Sequence, residues 1–318
     1  MAFLSILCAL LIEQVRPLRA NNVVFGAIKM LSARIEAGFN AGQPRNGRLA
    51  WFVVVLLLAV PVYLIHLIAA SINPLFELAW NVIVAYFTIG FRQYSHHFSS
   101  IQMALLSGDD VKARTLLAEW TGLDTVGMEV SDISRIAIEK ALVTAHHSVF
   151  GVLLWFLLPI GPAGAVVYRV AEHLARAWND PAQTTEDMFG VFASKAFYWA
   201  DWIPVRLTAV AFAVVGNFED AIYAWRNFAR RWENETLGII LSAGGGALGI
   251  RLGNPAEKAI SIPELDMTTG DYTNVELESM PGEEPMLRSL QSAVGLLWRA
   301  TLLWLLLILL LSIAVWIG

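Results

Sequence analysis

The chain has 318 residues, 57% of them hydrophobic and only 15% charged, with a formal net charge of −5. Soluble domains carry about 25% charged residues, so the composition excludes an ordinary water-soluble domain, and the absence of a basic tract excludes nucleic acid as a partner. A single cysteine, Cys8, excludes an internal disulfide framework and any cysteine metal cluster.

Residues 2–12 form a short apolar stretch without the positive flank and small-residue cleavage site of a signal peptide. Three readings are open for it: a signal-anchor, a short first span or an interfacial helix. Residues 13–49 carry Arg16, Arg19, Lys29, Arg34, Arg45 and Arg48 against Glu13 and Glu36, and read as a basic, cytoplasmic loop. Residues 49–76 then run 28 positions without Asp, Glu, Lys or Arg. A spanning helix needs about 20 apolar residues, so a span is predicted over 50–72, kinked at Pro61. A tight turn follows at Ser71–Pro74, and a return span over 75–91 keeps Glu77 at its rim.

Residues 92–140 read as a soluble helical insertion. Ser107, Gly108, Asp109 and Asp110 make a helix start with acids at the positive end of the dipole. Residues 141–168 are again uncharged for 28 positions, but Pro159, Gly161 and Pro162 break the run. It reads as a span over 146–168 or as two half-helices. Residues 179–187 read as a loop. The apolar stretches 207–218 and 236–250 are too short to assign as spans by themselves. Residues 254–289 are acidic and rich in Pro and Gly and read as an exposed loop. A last span covers 299–318, where 19 residues from Ala300 are uncharged. The chain shows no internal repeat. The bilayer interior cannot solvate backbone amides, so the fold class is all-α: a polytopic transmembrane helical bundle with a soluble insertion.

Candidate functional residues are few. His96–His97 and His146–His147 are pairs of possible metal ligands. Neighbouring residues on a helix point about 100° apart, however, so neither pair is the i, i+4 arrangement of a helical zinc site, and no metal site is assigned. His146 and His147 still stand out, because polar groups in a long uncharged run are expensive. Gly244–Gly245–Gly246 lacks the Lys-Ser/Thr of a phosphate loop and reads as small residues that let helices approach closely. Arg206 and Arg251 flank apolar helices, as interface anchors or as forks for a phosphate or carboxylate. Glu139 and Lys140 lie at the rim of a span.

Four strings together resemble the CobD/CbiB family of membrane proteins. They are residues 108–114 (GDDVKAR) with 121–125 (TGLDT), residues 161–164 (GPAG) through Tyr168–Arg169, residues 201–208 (DWIPVRLT) and residues 247–253 (ALGIRLG). The resemblance implies adenosylcobinamide-phosphate synthase activity, which joins an aminopropanol unit to adenosylcobyric acid, with Mg and ATP as cofactors and a corrinoid as ligand. The sequence departs from the family where its acid and amide motifs fall. Glu139 matches the first acid, but Val143–Thr144 and His147–Ser148 stand in the following positions, and residues 172–177 and 234–241 replace two further polar strings. Residues 201–207 with 213–216 (AVVG) and 221–225 (AIYAW) resemble AmpE proteins, inner-membrane relatives without those motifs.

The reading is therefore a membrane domain over 1–255 with its cytoplasmic insertion 92–140, an acidic loop over 256–290 and a C-terminal span over 291–318. The expected function is a non-catalytic or altered member of the family in the bacterial inner membrane, with a sensory or partner-binding role. The alternative is the synthase itself, with Glu139, His146, His147, Asp201, Arg206 and Arg251 as its ligand-binding cluster. A transporter ranks last, since intramembrane charges are few. The expected partners are the lipid bilayer, a corrinoid, membrane or cell-envelope proteins, and further copies of the chain.

Overall fold

The computed structural model describes residues 1–16, 18, 23–40, 42–179, 188–232, 234–253, 263–265, 272–274 and 280–317. The regular structure is helical apart from a three-residue antiparallel pair, β1 (Pro263–Leu265) with β2 (Tyr272–Asn274). The chain folds as two compact units. One holds Met1–His97, Thr144–Thr208 and Thr301–Gly318, the other Phe98–Val143 and Ala209–Ala300.

The first unit begins with α1 (Ala2–Val15) and α2 (Val23–Phe39), so much of the expected basic loop is a helix. Its long element is α3 (Pro44–Ile72), which Pro44 opens as a first-turn proline with nothing to lose by lacking an N–H. Pro61 stays within this helix. Asn73 ends α3 and also caps α4 (Pro74–Thr88), its side chain accepting a hydrogen bond from the Leu75 amide. This is the turn expected at Ser71–Pro74. The return helix has only 15 residues, however, fewer than a bilayer crossing needs. Helix α4 packs against α1 and α3 instead. The Trp80 indole donates to the Val62 carbonyl (3.1 Å), and His66 Nδ1 meets Asn81 Oδ1 (3.0 Å).

The uncharged run 141–168 does not make one span. Helix α7 (Val130–Ala145) passes through a π-helical turn, His146–Phe150, into α8 (Gly151–Leu157). Leu158 is extended ahead of Pro159, a position where proline disfavours helix. Gly161, at φ +56°, turns the chain so that Pro162 can open α9 (Pro162–Ala177). Few residues but glycine hold that conformation without strain. Among the described residues, four helical stretches are thus long and apolar enough to cross a membrane: Pro44–Ile72, Val130–Leu157, Val191–Val215 and Leu287–Ile317. The expected spans 75–91 and 146–168 are replaced by 130–157 and 191–215. Residues 207–215, which looked too short, are the end of the 25-residue α10 (Val191–Val215), whose first two-thirds carry Lys195, Asp201 and Arg206. Burial sorts the four: only 22% of the apolar window of α3 or of α13 (Leu287–Ile317) is buried, against 61% for Val130–Leu157. The first two present side chains such as Leu56, Leu57, Leu306 and Leu310 outward, as a lipid-facing helix must, and the third is an inner helix.

In the second unit, α5 (Phe91–Leu106) leads to α6 (Asp110–Thr121). Asp109 caps α6 by accepting from the Lys112 amide (3.0 Å), and Gly122 ends it at φ +75°. Helices α11 (Phe218–Phe228) and α12 (Glu235–Leu248) pack closely, with Asn217 and Asn234 as their caps. The triple glycine lies inside α12 and is fully buried, so its backbone amides are spent on the helix and none is left to cradle a phosphate. A Cβ on Gly246 would collide with the Asp220 carbonyl and Ala221. The chain leaving α12 pairs with the segment before α13, where the Arg251 amide donates to the Glu283 carbonyl (2.8 Å). The expected loop 254–289 lies largely outside the described residues, as does most of 179–187.

Because the α11–α12 approach has no room for a side chain, Gly246→Leu is expected to destabilise the protein by about 1–3 kcal/mol or more. Thermal unfolding of the detergent-purified variant should show a lowered Tm.

Candidate functional site: a buried histidine–aspartate cluster

The polar centre of the first unit is a carboxylate. Asp201, on the inner face of α10, is fully buried. Its Oδ1 accepts two hydrogen bonds, from the Tyr168 hydroxyl (2.7 Å) and from His146 Nε2 (2.8 Å). With the Nε2 proton directed at Asp201, His146 Nδ1 is left as an acceptor for the Thr208 hydroxyl (2.8 Å), a tautomer assigned from the network. Asp201 and Thr208 are seven residues apart, two turns of one helix, and so clasp His146 from the same face of α10. Unshared, a buried carboxylate of this kind would cost several kcal/mol.

His147 stands beside this chain of bonds. Its Nε2 is 3.8 Å from Asp201 Oδ2, beyond hydrogen-bond reach, and neither atom has a hydrogen-bond partner among the described residues. The two adjacent imidazoles face the same carboxylate because α10 brings the acid to them and because they open the π-helical turn, a local widening often found at functional sites. Their ring centroids are 5.0 Å apart, and Phe197 closes the far side of His147 at 5.4 Å. Gly151 lets Tyr168 in: a Cβ there would occupy the space of the phenol ring.

Beyond His147 the polar surface continues along α9. Arg169 Nη1 reaches Ser148 Oγ (3.4 Å) and Glu172 (3.6 Å), while its buried Nε has no partner among the described residues. Burial pushes the Glu172 carboxyl up, but Arg169 and Arg176 outweigh it and leave the group below the usual carboxylate range. Burial also holds His173 below the ordinary imidazole value, and its Nε2 lies 3.0 Å from Ser32 Oγ on α2.

Of the residues expected to form the site, the structure gathers His146, His147 and Asp201. Arg206 does not open a helix: it lies within α10, its guanidinium 4.0 Å above the Trp202 ring and its Nη1 on the Trp202 carbonyl (2.8 Å). Glu139 and Arg251 belong to the second unit. Glu139 accepts from the Gly253 amide (2.6 Å) and pairs with Arg135 (3.5 Å). Arg251 donates to the Gly282 carbonyl (3.1 Å). Both thus fasten the segment that follows α12. His96 and His97 lie on α5, outside the only group of three metal-capable side chains among the described residues. Tyr168, Thr208 and Arg169 were missed. The i, i+7 spacing of Asp201 and Thr208 in an apolar helix was the signal for one of them.

Magnesium, which the enzyme reading implies, does not fit this cluster. Two imidazoles and one carboxylate are the wrong donors for an ion that demands oxygen ligands in octahedral geometry.

A multi-pass helical protein with a buried polar centre in its inner helices defines a class in which such groups mark function. Comparison with known families assigns the class. The family described as CobD/Cbib protein matches residues 3–278, and the chain belongs to it. "Cobalamin biosynthesis protein CobD" of Stutzerimonas stutzeri (strain A1501) is 29% identical over 96% of this chain and 97% of its own length. The protein of the same name from Mycobacterium tuberculosis (strain ATCC 25618 / H37Rv) is 28% identical over 86% of this chain and 87% of its own. That from Chromobacterium violaceum is 32% identical over 58% of each. No solved structure matches the chain.

Tyr168→Phe removes one of two donors from a buried carboxylate and little else. A lower Tm, equivalent to about 1.5–3 kcal/mol, is expected for a bond to a charged group. An unchanged Tm would mean that the hydroxyl contributes nothing to holding Asp201.

Proposed function

We propose that this protein is the amide-forming enzyme of cobalamin biosynthesis, adenosylcobinamide-phosphate synthase, working in the bacterial inner membrane. The observation that carries this reading is the end-to-end similarity to a protein named for cobalamin biosynthesis, at 29% identity over 96% of the chain. The reaction joins a corrinoid carboxylate to the amine of aminopropanol or its phosphate, with Mg and ATP supplied from solution. The protein's own part is to orient the two reactants, exclude water and handle a proton. The His147 ring, 22% exposed beside a buried acid, offers an incoming substrate a polar contact. Arg169, with its free Nε, suits a carboxylate or phosphate oxygen. In this reading the part of the expected insertion 92–140 that precedes the candidate span at Val130 is a cytoplasmic helical segment.

A second reading is a non-catalytic member with a sensory or partner-binding role, akin to AmpE. What favours it is the replacement of the family's acid and amide positions by Val143, Thr144 and Ser148. The names of the relatives matched over 96% and 86% of this chain weigh for the enzyme.

The test is direct. Detergent-purified protein is incubated with adenosylcobyric acid, aminopropanol phosphate and Mg-ATP, and the corrinoid products are resolved by mass spectrometry. The enzyme reading expects an adduct whose mass is the sum of the reactants less one water, lost or at least a hundredfold slower in His147→Ala. Folded wild-type protein that forms no adduct supports the second reading.

A further inference from the structure

We propose that His146, His147 and Asp201 bind a divalent transition ion of the zinc type. The three offer donor atoms that all lie within 4.8 Å of one another, contributed by the π-helical turn and by α10. Two atoms lie 3.8 Å apart without a hydrogen-bond partner among the described residues, His147 Nε2 and Asp201 Oδ2, the latter on a fully buried side chain. That separation is too long for a hydrogen bond. It is close to the distance between two ligands of one tetrahedral zinc, about 3.4 Å for bonds of about 2.0–2.1 Å. Closing by a few tenths of an ångström, within reach of a histidine rotamer, completes the pair.

The third donor is His146 Nε2, and its surroundings suit both states. Without an ion it donates to Asp201 Oδ1. When an ion binds, the Nε2 proton leaves and the ring takes the other tautomer, with Nδ1–H donating to Thr208 Oγ1 at the same 2.8 Å. A hydroxyl both donates and accepts, so Thr208 serves either form. Tyr168 holds Asp201 Oδ1 in place and leaves Oδ2 for the ion. Metal-bound histidines and carboxylates commonly have such outer partners, which fix ring orientation and basicity. Two imidazoles and a carboxylate select zinc, cobalt or nickel over magnesium and calcium. Three protein ligands leave one position open, as in catalytic rather than structural zinc sites. The inference stands on geometry alone and does not depend on the synthase reading.

The test uses the metal itself. Full-length protein in detergent, stripped with a chelator and shown to be folded, is titrated with Co²⁺ and followed by visible absorption and elemental analysis. The expected result is one Co²⁺ per chain, with absorption of low-coordinate cobalt that Zn²⁺ abolishes and a large excess of Mg²⁺ does not. His147→Ala should weaken binding about a hundredfold or more, and Thr208→Val by about 10–100-fold, the range for an outer partner. The pair His96→Ala/His97→Ala should leave it unchanged. Should Asp201→Asn or His146→Ala fail to fold, His147→Ala carries the test, because its partly exposed ring makes no hydrogen bond that the fold requires. Folded protein that takes up no ion, or whose uptake is untouched by His147→Ala, overturns the proposal. The first result would leave a water-bridged polar cluster. No corrinoid substrate enters the experiment, so its outcome is separate from that of the amide-forming assay.

Discussion

A carboxylate buried among apolar helices must be shared or it will unfold the bundle that holds it. Asp201 is shared by Tyr168 from α9 and His146 from the π-helical turn, and His146 is in turn held by Thr208 from α10. This set of bonds fixes three helical elements relative to one another in the first unit, and much of the surrounding sequence follows from it. Gly151 is small so that the Tyr168 ring can enter. The break at Pro159–Gly161–Pro162 returns the chain so that α9 lies against α8 and presents that tyrosine. The widened turn sets two neighbouring imidazoles on one acid.

A structural role alone would not explain the cluster. Replacing a buried polar network by apolar residues of similar volume is often neutral or stabilising, and an all-apolar packing would hold these helices as well. The network also ends unsatisfied, at His147 Nε2 and Asp201 Oδ2, and continues through Ser148 and Arg169 along α9. The chain carries that site within the CobD/Cbib family, whose model covers residues 3–278.

The fold class was legible because lipid acts on long stretches: uncharged runs of 28 residues admit few solutions other than membrane helices. The number and placement of spans were less legible, since charge counting treats an inner helix as interrupted. Helix α10 carries Lys195, Asp201 and Arg206 along its first two-thirds, and the sequence concealed it because Asp201 is buried in protein and Arg206 stacks on its own Trp202. Residues 75–91 failed in the opposite way: they are apolar enough to span but end as a helix at Thr88, 15 residues long. For the site, the histidine pair and Asp201 stood out as polar groups in apolar runs, but sequence cannot say that residues 55 positions apart meet. Glu139, Arg206 and Arg251 read as part of the same cluster, and each instead bonds a backbone group away from it, Glu139 the Gly253 amide, Arg206 the Trp202 carbonyl and Arg251 the Gly282 carbonyl.

The account rests on one claim, that the polar centre around Asp201 serves a corrinoid-binding enzyme. Calorimetric titration of adenosylcobyric acid into folded, detergent-purified wild type and Arg169→Ala protein tests it most directly. The account predicts micromolar binding by the wild type, about −8 kcal/mol, weakened at least tenfold in the variant. No binding heat from folded wild-type protein, or equal affinity in the two, would contradict it.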